Sequence, residues 1–159
     1  MTKSKQMASI NKFNDLIVYN IGRLYVLLDR YLSAAYKIYG LNPAKFNLLM
    51  FIKRKGKNKG ISQIRLGDEL FVSAANITKL IDGLERKGWV KREPLKGDRR
   101  VNLIRITDKG SSLLDEVWVR HVVSLNNILT GFSLKDKEQF SSFLESFKND
   151  VTKRANHEG

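Results

Sequence analysis

From Ser9 to about Tyr39, apolar side chains recur at three- and four-residue steps: Ile10, Phe13, Ile17, Ile21, Leu24, Leu28, Tyr31 and Ala35. Leu16, Leu27 and Leu32 widen the stripe. The spacing predicts one helix of about 30 residues, roughly 45 Å long. That is longer than a small domain needs for its own core. A fold containing it must find something else to cover the surplus apolar face, and a second copy of the chain is the simplest cover.

The rest of the chain is short-period and punctuated. Gly40 can end the first helix, and Asn42-Pro43 opens a second, Ala44–Lys53, with proline at its first position. Its residues Phe46, Leu48, Leu49, Phe51 and Ile52 predict a buried element. The run from Lys53 to Gly60 reads as a basic, glycine-punctuated loop. Ser62 can cap a short helix over Gln63–Leu70, Phe71-Val72 makes a tight turn, and Ser73 can cap a longer helix reaching Lys87, with Gly88 as its stop. In that longer helix Ile77, Leu80, Ile81 and Leu84 mark the inside. Ala74, Ala75, Asn76, Thr78 and Lys79 are left outside.

Trp89–Glu93 and Val101–Ile106 read as two strands joined by the turn residues Pro94 to Arg99. A helix from Thr107-Asp108 to about Leu129 carries Leu113, Leu114, Val117, Trp118, Val122, Leu125 and Leu129. Ser133 caps a last helix with Phe140, Phe143, Leu144, Phe147 and Val151 in stripe. The expected fold class is mainly α (α+β), a winged helix-turn-helix with long N- and C-terminal helices. Residues 41–107 form the winged module, and residues 1–39 and 108–159 form a helical dimerisation region.

Charge adds a function class. The 159 residues carry a net charge of +13, an excess that favours a polyanionic partner. Six basic residues lie between Lys53 and Arg65 with no acidic one. Eight more lie between Arg86 and Arg105 against Glu93 and Asp98, so the two segments contribute +12. The first run fits either an added phosphate contact or a solvated loop. The absence of cysteine excludes disulfides, thiolate metal sites and thiol redox switching. His121 and His157 stand outside any metal-like cluster, and His121 is expected on a helix surface or interface. Tyr19, Tyr25, Tyr31, Tyr36 and Tyr39 read as core and dimer packing rather than a ligand box. Gly83 signals either close helix packing or a tolerated cost. No catalytic motif, cofactor, metal site, membrane span or secretion signal is read in the chain. A cytoplasmic protein is expected.

The stretch from Ser73 to Arg92, followed by Asp98-Arg99-Arg100 and then Leu103-Ile104-Arg105-Ile106-Thr107-Asp108-Lys109-Gly110, resembles the recognition helix and wing of MarR/SlyA-type bacterial transcription regulators. Ile106 stands where that signature usually has Leu. The resemblance implies a homodimeric regulator, most simply a repressor, on a pseudo-palindromic operator of double-stranded DNA. It also implies that Arg100 enters the minor groove while Asp98 holds its guanidinium, and that a small aromatic or anionic effector binds between the dimer helices and the DNA-binding lobe. Arg99 is chemically equal to Arg100 in that role. On physical grounds Asn76 can pair bidentately with adenine, and Ala74 and Ala75 behind Ser73 allow close approach and contact with thymine methyls. Thr78 and Lys79 suit phosphate contacts, as Lys91 and Lys96 do in the wing. The alternative is a basic winged-helix protein that binds RNA or DNA with little sequence preference; a protein-docking module is less consistent with the basic wing.

Overall fold

The computed structural model describes residues 3–56, 59–95 and 97–157, with side chains for all of these except 3–11, 99, 100 and 156. Helix α1 spans Lys3–Tyr36, so it begins six residues before the expected start. A 3₁₀ turn, Lys37–Tyr39, leads to Gly40. Helix α2 (Pro43–Phe51) opens as its sequence demands, with the Asn42 side chain accepting from the Lys45 N–H at 2.9 Å and Pro43 in the first turn. The chain then keeps helical character through a π turn, Ile52–Gly56, where a basic loop was expected to start. Its side chains are held from outside, as described below.

Strand β1 (Ile61–Ser62), helix α3 (Gln63–Leu70), helix α4 (Ala74–Glu85), strands β2 (Val90–Leu95) and β3 (Asp98–Ile106), and helices α5 (Asp108–Ile128) and α6 (Leu134–His157) complete the described elements. Ser62 and Ser73 cap α3 and α4 by accepting from Arg65 N–H and Asn76 N–H at 3.3 and 3.4 Å. Strand β1 had no sequence signal. Two residues show no alternation, and their pairing with Ile104 and Leu103 is set entirely by tertiary position.

The sheet is antiparallel in the order β1-β3-β2. The hairpin is longer than the expected turn allowed. Pro94 and Leu95 belong to β2, Asp98 and Arg99 belong to β3, and Leu95 pairs with Asp98 across a bulge. Two physical facts permit this. β2 is an edge strand, so the missing N–H of Pro94 breaks no inner ladder, and Gly97 turns the chain at φ 96°.

The chain divides into two compact units at the His121–Val122 bond, within α5. In the first, Tyr36, Leu48, Leu49, Ile52, Leu66, Ile77, Ile81, Leu84, Val90, Ile104, Leu114 and Val117 are essentially closed to solvent. The expected inner face of α4 is seen, with Leu80 partly buried against the same cluster. Each such side chain contributes about 1.5–3 kcal/mol by leaving water. In the second unit Ser133 and Asp136 cap α6 reciprocally. Asp136 N–H donates to Ser133 Oγ at 3.2 Å, and the Asp136 carboxylate accepts from Ser133 N–H and Oγ–H at 3.0 and 2.6 Å. Those bonds hold the Asp136 carboxyl below its ordinary range.

One junction ties four elements together. Trp89 N–H closes α4 by donating to Leu84 O at 3.0 Å, and Trp89 O accepts from Thr107 N–H at 3.0 Å. The Thr107 hydroxyl donates to Gly88 O at 2.7 Å and accepts from Gly110 N–H at 3.0 Å. A Cβ on Gly110 would lie 2.1 Å from the Trp89 carbonyl oxygen. The Thr-x-x-Gly pattern is therefore a contact requirement: threonine caps α5 and glycine lets a strand carbonyl lie against the helix.

His121, expected on a helix surface or at an interface, is half-buried within an aromatic cluster. Its Nδ1 is 2.5 Å from Tyr36 Oη, and its ring lies 4.8 and 5.2 Å from those of Phe46 and Trp118. Burial pushes the Tyr36 phenol up to about 12. Burial, followed by the nearby Arg54 charge, pulls His121 below its ordinary value. Of the other tyrosines, Tyr39 packs against the core, whereas Tyr19, Tyr25 and Tyr31 remain exposed on α1.

Two stability results are expected. Gly110→Ala should destabilise by about 3 kcal/mol or more, because a backbone carbonyl must move. Gly83→Ala should instead stabilise by about 0.5–1 kcal/mol, since the added methyl meets only the flexible end of Lys45, Cε at 3.6 Å and Nζ at 3.8 Å. Denaturant melts of the two variants check this, and similar values for both would contradict it. For His121 the folded state binds its proton less readily than the unfolded chain. Its contribution is fully present above an unfolded value near 6.5 and is lost as pH falls through the depressed folded value. Between about pH 7.5 and pH 5.5 the wild type should therefore lose more thermal stability than His121→Gln, which keeps an acceptor for Tyr36. Parallel melting curves across that range would disprove the assignment.

Candidate nucleic-acid interface

The helix-turn-helix consists of α3, the Phe71-Val72 turn and α4. The Ser73 cap fixes the first turn of α4, and Ser73, Ala74, Ala75, Asn76 and Lys79 are all exposed on it. They form one face because Ile77, Ile81 and Leu84 occupy the other. Thr78 is only partly exposed and is already engaged. Its hydroxyl donates to Ala74 O at 2.8 Å and accepts from Gln63 Nε2 at 2.7 Å. In this rotamer Thr78 has no proton to offer a phosphate, so it acts as a brace between α3 and α4. Nothing in the sequence marks its partner Gln63 as functional. Its only signal was a polar side chain in the first turn of a capped helix, which alone does not distinguish a brace from a solvated amide.

The wing is bound to α4 through charge. Arg92 Nη2 contacts Asp82 Oδ1 at 2.5 Å, Nη1 contacts Glu85 Oε2, and the Arg92 N–H donates to Glu85 Oε1 at 3.0 Å. Burial opposes the guanidinium charge, but the hydrogen bonds to Asp82 and Glu85 outweigh it and raise its proton affinity. Arg92 belongs to the inward set of β2 with Val90. Although it counted toward the basic segment, it orients the wing and is not free for phosphate.

On the outer face of the hairpin, Glu93 lies between Lys91 (2.7 Å) and Arg105 (2.5 Å). The Lys91 hydrogen bond is the largest effect on the Glu93 carboxyl; burial opposes it, and with the added Arg105 hydrogen bond the group stays below its ordinary range. Lys91 remains more than half exposed, and water screens such a pair strongly. Lys91 can therefore exchange its partner for a phosphate at little cost. Asp98 is exposed at the start of β3. Lys96 and the side chains of Arg99 and Arg100 lie outside the described residues, so the Asp98–Arg100 contact implied by the resemblance does too.

The basic run before β1 takes a third course. Lys53 pairs with Asp115 of α5 at 2.7 Å, and the Arg54 guanidinium lies 5.5 Å from the Trp118 ring centre. Lys55 and Lys59 are exposed. Half of the described run is thus fastened to α5, which explains why the helix continues into it. Arg54 also borders a cavity of ≈ 330 Å³ lined by Phe46, Met50, Phe51, Trp118 and His121. Among the described residues no group of three or more His, Asp or Glu could hold a metal ion, and no helix is long and apolar enough to cross a membrane.

This arrangement has known counterparts. A MarR family model matches residues 39–101, which run from the 3₁₀ turn to β3. The chain is 32% identical to the HTH-type transcriptional regulator PecS of Dickeya dadantii over 81% of its own length and 78% of that protein. Its fold is similar to that in the MepR–DNA complex from S. aureus, with a TM-score of 0.76, 16% identity, and coverage of 84% of this chain and 96% of that one. It is also similar to CouR of Rhodococcus jostii RHA1 bound to p-coumaroyl-CoA, with a TM-score of 0.73, 21% identity, and coverage of 82% and 90%. At those identities the two structures establish the shared fold alone. The MarR family match over residues 39–101, the 32% identity with PecS over 81% of the chain and the winged helix built on the Thr107–Gly110 junction together give the assignment: the chain belongs to the MarR family of transcriptional regulators.

Proposed function

We propose that this regulator acts in the cytoplasm as a homodimer on a pseudo-palindromic duplex operator, most simply as a repressor, with residues 41–107 as the DNA-binding module. The observation that carries the reading is the first turn of α4. It is capped, lined with small side chains and exposed, and Arg92 ties the last turn of the same helix to a basic wing. Such a helix end fits a major groove, and the hairpin reaches the flanking minor groove, whose negative potential attracts arginine. In this reading Asn76 reads a base, Ser73, Ala74 and Ala75 permit close approach, and Lys79, Lys91 and Lys96 meet phosphates. Arg100, or its equal Arg99, enters the minor groove beside Asp98. MepR was crystallised with DNA, which supports the same use of the shared fold here.

Dimerisation is supported by two exposed apolar stripes. Phe13, Ile17, Leu24 and Tyr31 lie on α1, and Phe140, Phe143, Leu144, Phe147 and Val151 lie on α6. A second chain would cover them and place two recognition helices about 34 Å apart, one turn of DNA. The aromatic cavity beside Arg54 supports an effector of the aromatic, anionic class. Phe46, Phe51, Trp118 and His121 offer ring faces, and Arg54 offers a charge at the rim. CouR binds p-coumaroyl-CoA, an aromatic acyl thioester carrying phosphates, in keeping with that chemistry. Effector binding would alter DNA affinity only through different affinities for two dimer shapes.

The test uses a duplex selected from a random pool by the wild-type protein. Arg100→Ala should weaken binding by about 1–3 kcal/mol, and Asn76→Ala should relax preference at one base position. The Phe143→Asp/Phe147→Asp pair should yield monomers with poor operator affinity. Failure of the wild type to enrich any sequence, with a steep salt dependence, would replace this reading by non-specific binding. For the effector, aromatic carboxylates such as benzoate and 3-phenylpropionate should release the operator, and Arg54→Ala should require about tenfold more of them. Equal potency on both proteins would remove Arg54 from the site.

A further inference from the structure

Among the described residues, Phe71 is the only one other than glycine with a positive φ, 52°. It closes α3, and its exposure of 77% is the highest of any large apolar side chain described in the chain. What the fold requires at this position comes from the backbone: Phe71 N–H donates to Asp68 O at 3.3 Å and Val72 N–H to Gly67 O at 2.9 Å. Glycine would make the same turn without strain, and the turn of a helix-turn-helix often contains it. The ring is not part of the core cluster. A left-handed aromatic that is exposed and unneeded for packing needs another explanation.

Its position supplies one. Phe71 precedes the Ser73 cap by two residues, a backbone distance of at most about 7 Å. The exposed Ala74, Ala75 and Asn76 follow directly. Any duplex seated on that first turn therefore passes within reach of the ring. DNA offers apolar partners there, the thymine C5-methyl and the deoxyribose face. A protein partner docking on Phe71 would find small or polar exposed side chains, Ser73 to Asn76, on the helix side of it.

We propose that Phe71 is a DNA-contacting residue whose ring packs on an apolar group of the duplex at the edge of the groove entered by α4. This rests on the DNA-facing reading of that helix. It adds an apolar contact, from the turn rather than the helix, to the polar and phosphate contacts already assigned.

The experiment compares wild type, Phe71→Gly, Phe71→Asn and Asn76→Ala on the selected duplex, with melting temperatures measured alongside. Glycine and asparagine both tolerate the left-handed turn. Both variants should keep or raise the melting temperature yet bind about tenfold more weakly. Replacing thymines of the site by deoxyuridine one at a time then identifies the partner. A loss at one position in the wild type that disappears in Phe71→Gly marks the thymine methyl, and no such loss at any position marks the sugar. Wild-type affinity in both variants, with Asn76→Ala weakened, would overturn the proposal while leaving the DNA reading intact. A lowered melting temperature in both variants would overturn it in favour of a structural ring. If the wild type selects no duplex, the underlying reading itself fails.

Discussion

The wing of this protein depends on a carbonyl lying against a helix. Trp89 O reaches the first turn of α5 only because residue 110 has no side chain, and the Thr107 hydroxyl fixes the approach by bonding to both Gly88 and Gly110. The end of α4, the start of β2, the end of β3 and the start of α5 meet within these few bonds. A hairpin anchored only by its own ladder would swing about its base. Here the base is locked by covalent connection on one side and by close packing on the other. Arg92 adds a second tie higher up, from the strand to Asp82 and Glu85 on the helix. The two ties join helix and wing at two separate points.

Charge in the folded protein is more selective than in the chain. The sequence concentrates basic residues in two segments, and a composition argument treats them alike. In the fold, Arg92 is used for orientation, Lys53 and Arg54 are fastened to α5, and Arg105 balances Glu93 with Lys91. Exposed lysines such as Lys79, Lys91, Lys55 and Lys59 remain available to a polyanion. Long-range attraction is unaffected by internal pairing, because the net charge is unchanged. Short-range contact is affected, because a half-buried guanidinium held between two carboxylates has little left to give a phosphate.

Much of the architecture was legible from periodicity and caps. Asn42-Pro43, Ser62, Ser73 and Ser133 each start a helix where the sequence places one, since capping is a local hydrogen bond between a side chain and the next turn. The inner face of α4 follows from 3.6-residue spacing in the same way. The misjudged places depend on distant residues. β1 exists because β3 passes beside it, the π turn at Ile52–Gly56 is steadied by Asp115 and Trp118, and the long hairpin is possible because β2 is an edge. Thr78 offered a hydroxyl to solvent on a helical wheel, but Gln63 of the preceding helix reaches it. His121, fifteenth in a helical stripe from Thr107, gave no sign that Tyr36 lies 85 positions away as its partner.

The sequence by itself determined the long first helix, the capped helix-turn-helix, the paired wing strands and the clustering of positive charge, because spacing, caps and charge are properties of neighbours along the chain. The tertiary structure alone decided which of those charges face outward and which brace the reader. It also decided which rings surround the half-buried His121 and how the wing is held. Those outcomes depend on which residues meet across the core, and one chain's linear order does not contain that information in local form. The apolar stripe on α1 shows both sides: its spacing fixes that it is helical and amphipathic, while Tyr36 at its end is closed off by Phe46 and His121 and Phe13 near its start remains open.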